Sequence, residues 1–98
     1  MANPFEITVI TVENSHGWTF TVQVRQQNGE TRHSVRLKRE DHKRLINGTQ
    51  AGPEELVKKS FEFWLEREPK ESILRQFDLP LMAKHFPDYS AEIHKRLK

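Results

Sequence analysis

From Phe5 to Lys38, apolar and polar side chains alternate one by one; beyond Lys38, apolar residues return every three or four positions. In the first stretch Phe5, Ile7 and Val9 alternate with Glu6 and Thr8. Trp18, Phe20, Val22 and Val24 alternate with Thr19, Thr21, Gln23 and Arg25, and His33, Val35 and Leu37 with Arg32, Ser34, Arg36 and Lys38. A period of two in segments rich in Val, Ile, Thr and aromatics predicts three half-buried strands. Asn14-Ser15-His16-Gly17 supplies the first reversal and Asn28-Gly29 the second, because a type I′ turn needs positive φ at both central residues. With Asn28 and Gly29 as the loop pair, Val22 faces Val35, Phe20 faces Leu37, His33 faces Val24 and Arg25 faces Arg32, a like-charge opposition that carries a cost. Across the first turn Val9 faces Val22 and Ile7 faces Val24, so the core sides of all three strands coincide. Ile10 and Val12 fall on the other side: either the strand bulges there, or the two form a second apolar surface that something covers.

After Lys38 the helical period takes over. Arg39 to Ile46 reads as a short helix closed by Asn47-Gly48, a pair suited to left-handed C-cap conformations. Thr49 to Gly52 then link to Pro53, at the first helical position with Glu54 and Glu55 beside the N-terminus. Leu56, Val57, Ser60, Phe61, Trp64 and Leu65 make one stripe of the main helix, which should stop near Arg67 or Glu68 ahead of Pro69. Pro69-Lys70-Glu71 opens a further helix carrying Ile73, Leu74 and Phe77. Asp78 caps the next, with Pro80 in its first turn and Leu81, Met82 and Phe86 inward. Asp88 or Ser90 caps the last, with Tyr89, Ile93 and Leu97 on one stripe. The expectation is a single α+β domain over residues 1–98: a three-stranded antiparallel meander over 1–38, with about four to five short helices from 39–98 packed on one face.

Composition narrows the setting. The chain has 98 residues, of which 35% are hydrophobic and 31% charged, and no cysteine. A disulfide framework, a thiolate nucleophile and a cysteine-ligated zinc are therefore excluded. The N-terminal residues lack a basic region followed by an apolar run, and no stretch approaches the roughly 20 apolar residues of a membrane span. A cytoplasmic protein without membrane association is the expectation. The formal net charge is only +2, but it is unevenly spread: residues 1–22 carry −2, residues 23–52 carry +4, and residues 53–98 balance to zero. The excess sits on Arg25, Arg32, Arg36, Lys38, Arg39, Lys43 and Arg44, which could neutralise phosphates. No aromatic is interleaved among them, so stacking on single strands is unsupported, and a solvated sheet face that resists edge-to-edge association is the plainer explanation.

Other chemistry finds little footing. His16, His33, His42, His85 and His94 show no ligand spacing, so no metal and no cofactor are expected. His33, on the core side of the sheet, is expected to keep a polar tip in water at an edge. Helix starts and solvated faces account for Glu54, Glu55, Glu66, Glu68, Glu71 and Asp78. The four glycines are too scattered for a phosphate loop, and Ser60 and Ser72 lack the surroundings of an activated nucleophile. A helix-turn-helix over Lys70 to Phe86 is weakened by Pro80 inside its would-be recognition helix.

The run FEFWLEREPKESILRQFDL from Phe61 to Leu79, followed by HFPDY from His85 to Tyr89, resembles short uncharacterised bacterial proteins that share the phrase LEREPKESILRxFDL…FPxY near their C-termini. The resemblance spans Phe61 to about Ile93, implies an intact helical unit, and transfers no catalytic or binding residue. What emerges is a non-enzymatic domain acting through protein-protein contacts, with another protein or a second copy as partner and Ile10 and Val12 as the contact surface. Weak, salt-dependent binding of nucleic acid or another anion by the basic residues is the alternative, and an unrecognised enzyme the third possibility.

Overall fold

The period-two segment forms strands β1 (Glu6–Glu13), β2 (Gly17–Gln26) and β3 (Gly29–Lys38) in a computed structural model that describes residues 5–27 and 29–98. At the first reversal the Asn14 carboxamide oxygen accepts the backbone N–H groups of His16 and Gly17, each at 2.9 Å. Gly17 is required by crowding, since a Cβ there would lie 2.1 Å from the Leu37 carbonyl oxygen. Val9 faces Val22 and Ile7 faces Val24, as the alternation predicts.

The β2–β3 register differs from expectation by two residues. Gln26 faces Gly29, Arg25 faces Glu30, Val22 faces His33, Phe20 faces Val35 and Trp18 faces Leu37. Gly29 is thus a paired strand residue with φ 128°, not half of the loop; Asn28, its expected turn partner, lies outside the described residues. An even shift leaves every side chain on its predicted face, and it replaces the Arg25–Arg32 opposition with an attractive Arg25–Glu30 one.

Helix α1 (Arg39–Ile46) ends as read, with Asn47 at φ 43° and Gly48 at φ 84°. Helix α2 (Pro53–Leu65) begins at its proline. Beyond α2 the path departs from the expected helices. Lys70–Ser72 make one 3-10 turn, and Gln76–Asp78 form a strand, β4, that pairs parallel to β3. The Ser34 N–H donates to the Arg75 carbonyl at 2.7 Å and the Leu79 N–H to the Arg36 carbonyl at 2.9 Å. Phe77 and Leu79 are buried while Gln76 and Asp78 are exposed, a period of two that a helical reading of Ile73 and Phe77 conceals. Asp78 therefore lies in a strand instead of capping a helix, and a helix-turn-helix over Lys70 to Phe86 is replaced by a turn, a strand and α3 (Leu81–His85). Helix α4 (Tyr89–Leu97) buries Tyr89, Ile93 and Leu97 on one stripe as predicted, although Asp88 turns to Arg67 instead of capping it.

The sheet is mixed and four-stranded in the order β1-β2-β3-β4, so the segment after α2 contributes to the same sheet as the N-terminal meander. Phe20, Val22, Val24, Val35 and Leu37 of its inner face share one core with Leu56, Val57, Phe61 and Trp64 of α2. Phe63, off the predicted stripe, is also buried, with Phe86 and Tyr89 edge-on to it at 5.3 and 5.6 Å. Polar groups close the helical side. The Ser60 hydroxyl donates to the Leu56 carbonyl and accepts the Tyr89 hydroxyl proton, both at 2.7 Å, and burial pushes the Tyr89 phenol up to about 12. Glu66 forks Arg96 at 2.6 and 2.9 Å, and Arg67 reaches Asp88 at 2.8 Å while its guanidinium lies 3.7 Å from the centre of the Phe63 ring. Lys70, only 1% exposed, spans from Glu71 at 2.8 Å to the Gln26 carboxamide oxygen at 3.1 Å, tying the end of β2 to the segment after α2.

Within β4 and its approach, burial separates two neighbours that a helix would place inward together. Phe77→Ala should lose about 3–5 kcal/mol, whereas Leu74→Ser should stay within about 0.5 kcal/mol of the parent, both read from urea unfolding monitored by circular dichroism.

Candidate interaction surface

The helices cover one face of the sheet, and the register builds the other in rows. Glu6, Arg25 and Glu30 form the first; Thr8, Gln23 and Arg32 the second; Ile10, Thr21, Ser34 and Gln76 the third; Val12, Thr19, Arg36 and Asp78 the fourth. Ile10 and Val12 are each 61% exposed and stand next to one another on β1, with the short hydroxyl side chains of Thr21 and Thr19 across from them. No bulge interrupts β1, whose pairing with β2 is continuous from Glu6 to Glu13. The two residues thus form an outward apolar stripe, and no described element lies over it. Among the described residues Leu74, 48% exposed, is the other large apolar side chain in the open.

The predicted cations divide between two places. Arg25, Arg32, Arg36 and Lys38 lie on the open sheet face, while Arg39, Lys43 and Arg44 belong to α1. Most have acidic partners: Arg25 with Glu6 at 3.7 Å, Arg36 with Asp78 at 2.8 Å, Arg39 with Glu13 at 2.6 Å and Arg44 with Asp41 at 2.7 Å. Arg39 also lies over the Trp18 ring, 5.0 Å from its centre. Arg32, Lys38 and Lys43 have no ion pair among the described residues. Exposed pairs of this kind add about 0–1 kcal/mol each to stability, but each places a negative charge beside a cation and lowers the positive field the surface projects.

At the Lys38 end of the sheet a cleft of about 810 Å³ opens between β3, β4 and α3. Trp18, Leu37, Leu74 and Leu81 line it together with Lys38 and Lys84. Sequence reasoning did not find this cleft, because its walls depend on β4 running beside β3; the only early signal was the alternation of polar Gln76 and Asp78 with apolar Phe77 and Leu79.

The histidines are dispersed, and among the described residues no three His, Asp or Glu side chains converge as a metal site. His33 corrects the expectation of a wet tip: its ring is 3% exposed and packs against Phe61 at 5.4 Å. Nδ1–H donates to the Leu74 carbonyl at 2.8 Å, which leaves Nε2 to accept the Thr31 hydroxyl at 2.8 Å. The approach to β4 supplies that carbonyl, so the burial follows from the strand that periodicity concealed. Burial, aided by the nearby Arg75 charge, holds the imidazole pKa below its ordinary value against the opposing effect of the Leu74 bond. His85 sits elsewhere, against Trp64 and near Glu68 at 3.5 Å, and Glu68 accepts the Trp64 indole N–H at 2.7 Å.

Among the described residues no helix is long and apolar enough to cross a membrane. Comparison with family models, with curated proteins and with solved structures returns no match for this chain.

Because the folded-state pKa of His33 lies below that of the unfolded chain, unfolding takes up a proton as the medium acidifies. The stability it contributes is present above about pH 6.5 and is lost progressively below that value. Thermal melts from about pH 7.5 to about pH 5.5 should therefore fall more steeply for the parent than for His33→Gln, which has nothing to titrate; parallel curves would contradict the assignment.

Proposed function

We propose that the protein is a non-enzymatic binding module that acts through protein-protein contacts, with β1 and the open sheet face as its contact surface. The observation that carries this reading is the pairing of Ile10 and Val12, two large β-branched side chains exposed side by side on an unbulged strand. Scattered apolar residues are ordinary on a protein surface; adjacent ones at the margin of an uncovered sheet are the kind of feature that protein contacts use. The hydroxyl-rich rows beside them supply hydrogen-bonding groups without the desolvation cost of a dense charge cluster.

The alternative, weak binding of nucleic acid or another anion, draws on Arg32 and Lys38 of the same face and on Lys43 of α1. It is the weaker reading because Arg25, Arg36, Arg39 and Arg44 each have an acidic neighbour that a phosphate would have to displace.

Photo-reactive amino acids placed at positions 10 and 12 of the full chain, with Lys58 on the exposed side of α2 as control, test the reading in the cells that make the protein. Protein adducts should form from positions 10 and 12 and not from position 58. Nucleic-acid adducts, together with binding to mixed-sequence DNA or RNA that weakens steeply with salt, would favour the alternative; the absence of any adduct at positions 10 and 12 would overturn the proposal.

A further inference from the structure

The two edges of the sheet are treated differently. At one edge β4 is three residues long and is followed directly by Leu79 and Pro80, a short and guarded margin. At the other, β1 runs for eight residues, EITVITVE, without proline, glycine, lysine or a bulge. Only its end residues are charged, and each has an arginine within its own chain, Glu6 with Arg25 and Glu13 with Arg39.

The hydrogen bonding of β1 can be counted from its last bond. The Asn14 N–H donates to the Gly17 carbonyl at 2.8 Å, and the pairing upstream is continuous. In an antiparallel ladder bonded and non-bonded pairs alternate. Val12, Ile10, Thr8 and Glu6 thus bond to β2, and Glu13, Thr11, Val9 and Ile7 direct their N–H and C=O groups away from the sheet. Among the described residues only β2 pairs with β1, and no other hydrogen bond reaches those outward groups.

We propose that this edge is occupied by β1 of a second copy of the chain, paired antiparallel about a two-fold axis at Ile10, which makes one continuous eight-stranded sheet. The proposal rests on the reading of β1 as a contact surface and names the partner. Three constraints select this occupant and register. Identical strands related by a two-fold axis normal to the sheet keep inward residues opposite inward ones only if facing positions are both odd or both even. About Ile10, Ile7 faces the partner's Glu13 and Val9 faces the partner's Thr11, so every pair exchanging hydrogen bonds consists of two residues whose backbone groups already point outward. Thr8 faces the partner's Val12 and Ile10 faces the partner's Ile10 on the open face, which joins the two apolar stripes into one. Centring on Val9 instead would set Val12 against the partner's Glu6. The facing interior of the strand is uncharged, and one chain carries a net charge of only +2, so little repulsion opposes the approach.

The axis through Ile10 makes the test specific. Sedimentation of the full-length parent should give twice the 11.6 kDa of one chain. Ile10→Glu and Ile10→Arg, at an exposed position, should each sediment as a single chain with an unchanged circular dichroism spectrum, and their equimolar mixture should recover the doubled mass, because only there do opposite charges meet across the axis. Hydrogen exchange on the parent provides a readout independent of substitution: the outward amides of Val9 and Thr11 should gain protection as protein concentration rises, and unchanged exchange in a doubled species would place the interface elsewhere and overturn the proposal. A parent that stays a single chain at the highest soluble concentration also overturns it, as does a dimer insensitive to both substitutions. The photo-adducts separate the two failures: a single-chain parent whose positions 10 and 12 capture a different protein loses self-pairing and keeps the contact surface, whereas a single-chain parent with no adducts loses both.

Discussion

The parallel pairing of β4 with β3 is the constraint on which most of the structure depends. Without it the outer backbone groups of Ser34 and Arg36 would lack partners in the sheet, and Phe77 and Leu79 would lack a way into the core. Unpaired backbone groups are costly in a dry environment, and a three-residue strand removes that cost with few residues. Its consequences spread from there. The Leu74 carbonyl arrives at His33 and allows an imidazole to be buried in neutral form. Phe77 reaches Trp64 and Phe61, with ring centres 5.4 and 6.1 Å away. The same strand leaves β1 as the long edge of the sheet that no described element covers.

A parallel strand needs a crossover from one end of the sheet to the other, and here α1 and α2 make the journey. The end of that journey is held by polar contacts more than by a long helix. Lys70 bridges back to Gln26 at the end of β2, Glu66 holds Arg96, and Arg67 holds Asp88 while stacking on Phe63. A buried lysine stabilises little by itself and becomes costly when a partner is lost. Its value is geometric, because it fixes where the chain emerging from α2 must run. The density of charge from Glu66 to Glu71 is thus a set of intramolecular clasps, and that accounts for charges with no role on the open face.

Much of this was legible in the residues. Alternation located all three long strands and the face of every residue in them, including the outward Ile10 and Val12, while Asn47-Gly48 marked the end of α1 and Pro53 the start of α2. Two features were not. The β2–β3 register depended on a choice between registers that both keep the faces correct; local turn chemistry favoured Asn28-Gly29, whereas the observed register sets Arg25 opposite Glu30 in place of Arg32. The strand β4 was hidden because Ile73 and Phe77 are four apart, a spacing a helix and a strand both satisfy on one face. The cleft beside it and the burial of His33 were illegible for the same reason, since both are made by residues distant in sequence.

An open face built this way stands apart from the side chains that hold the fold together. The core draws on Phe20, Val22 and Val24 of β2 and on Val35 and Leu37 of β3, all nearly inaccessible, whereas Ile10, Val12, Thr19 and Thr21 lie on the face opposite the helices. A large exposed apolar side chain gains nothing from the fold of its own chain and raises the risk of nonspecific association. The same strand could have carried threonine at both positions with equal strand propensity. Placing isoleucine and valine there, beside backbone groups that have no partner among the described residues, concentrates two independent liabilities on one strand. Each is relieved by the approach of another extended chain, the backbone groups by hydrogen bonding and the side chains by burial. That coincidence, more than either feature alone, is what the proposed contact at β1 rests on.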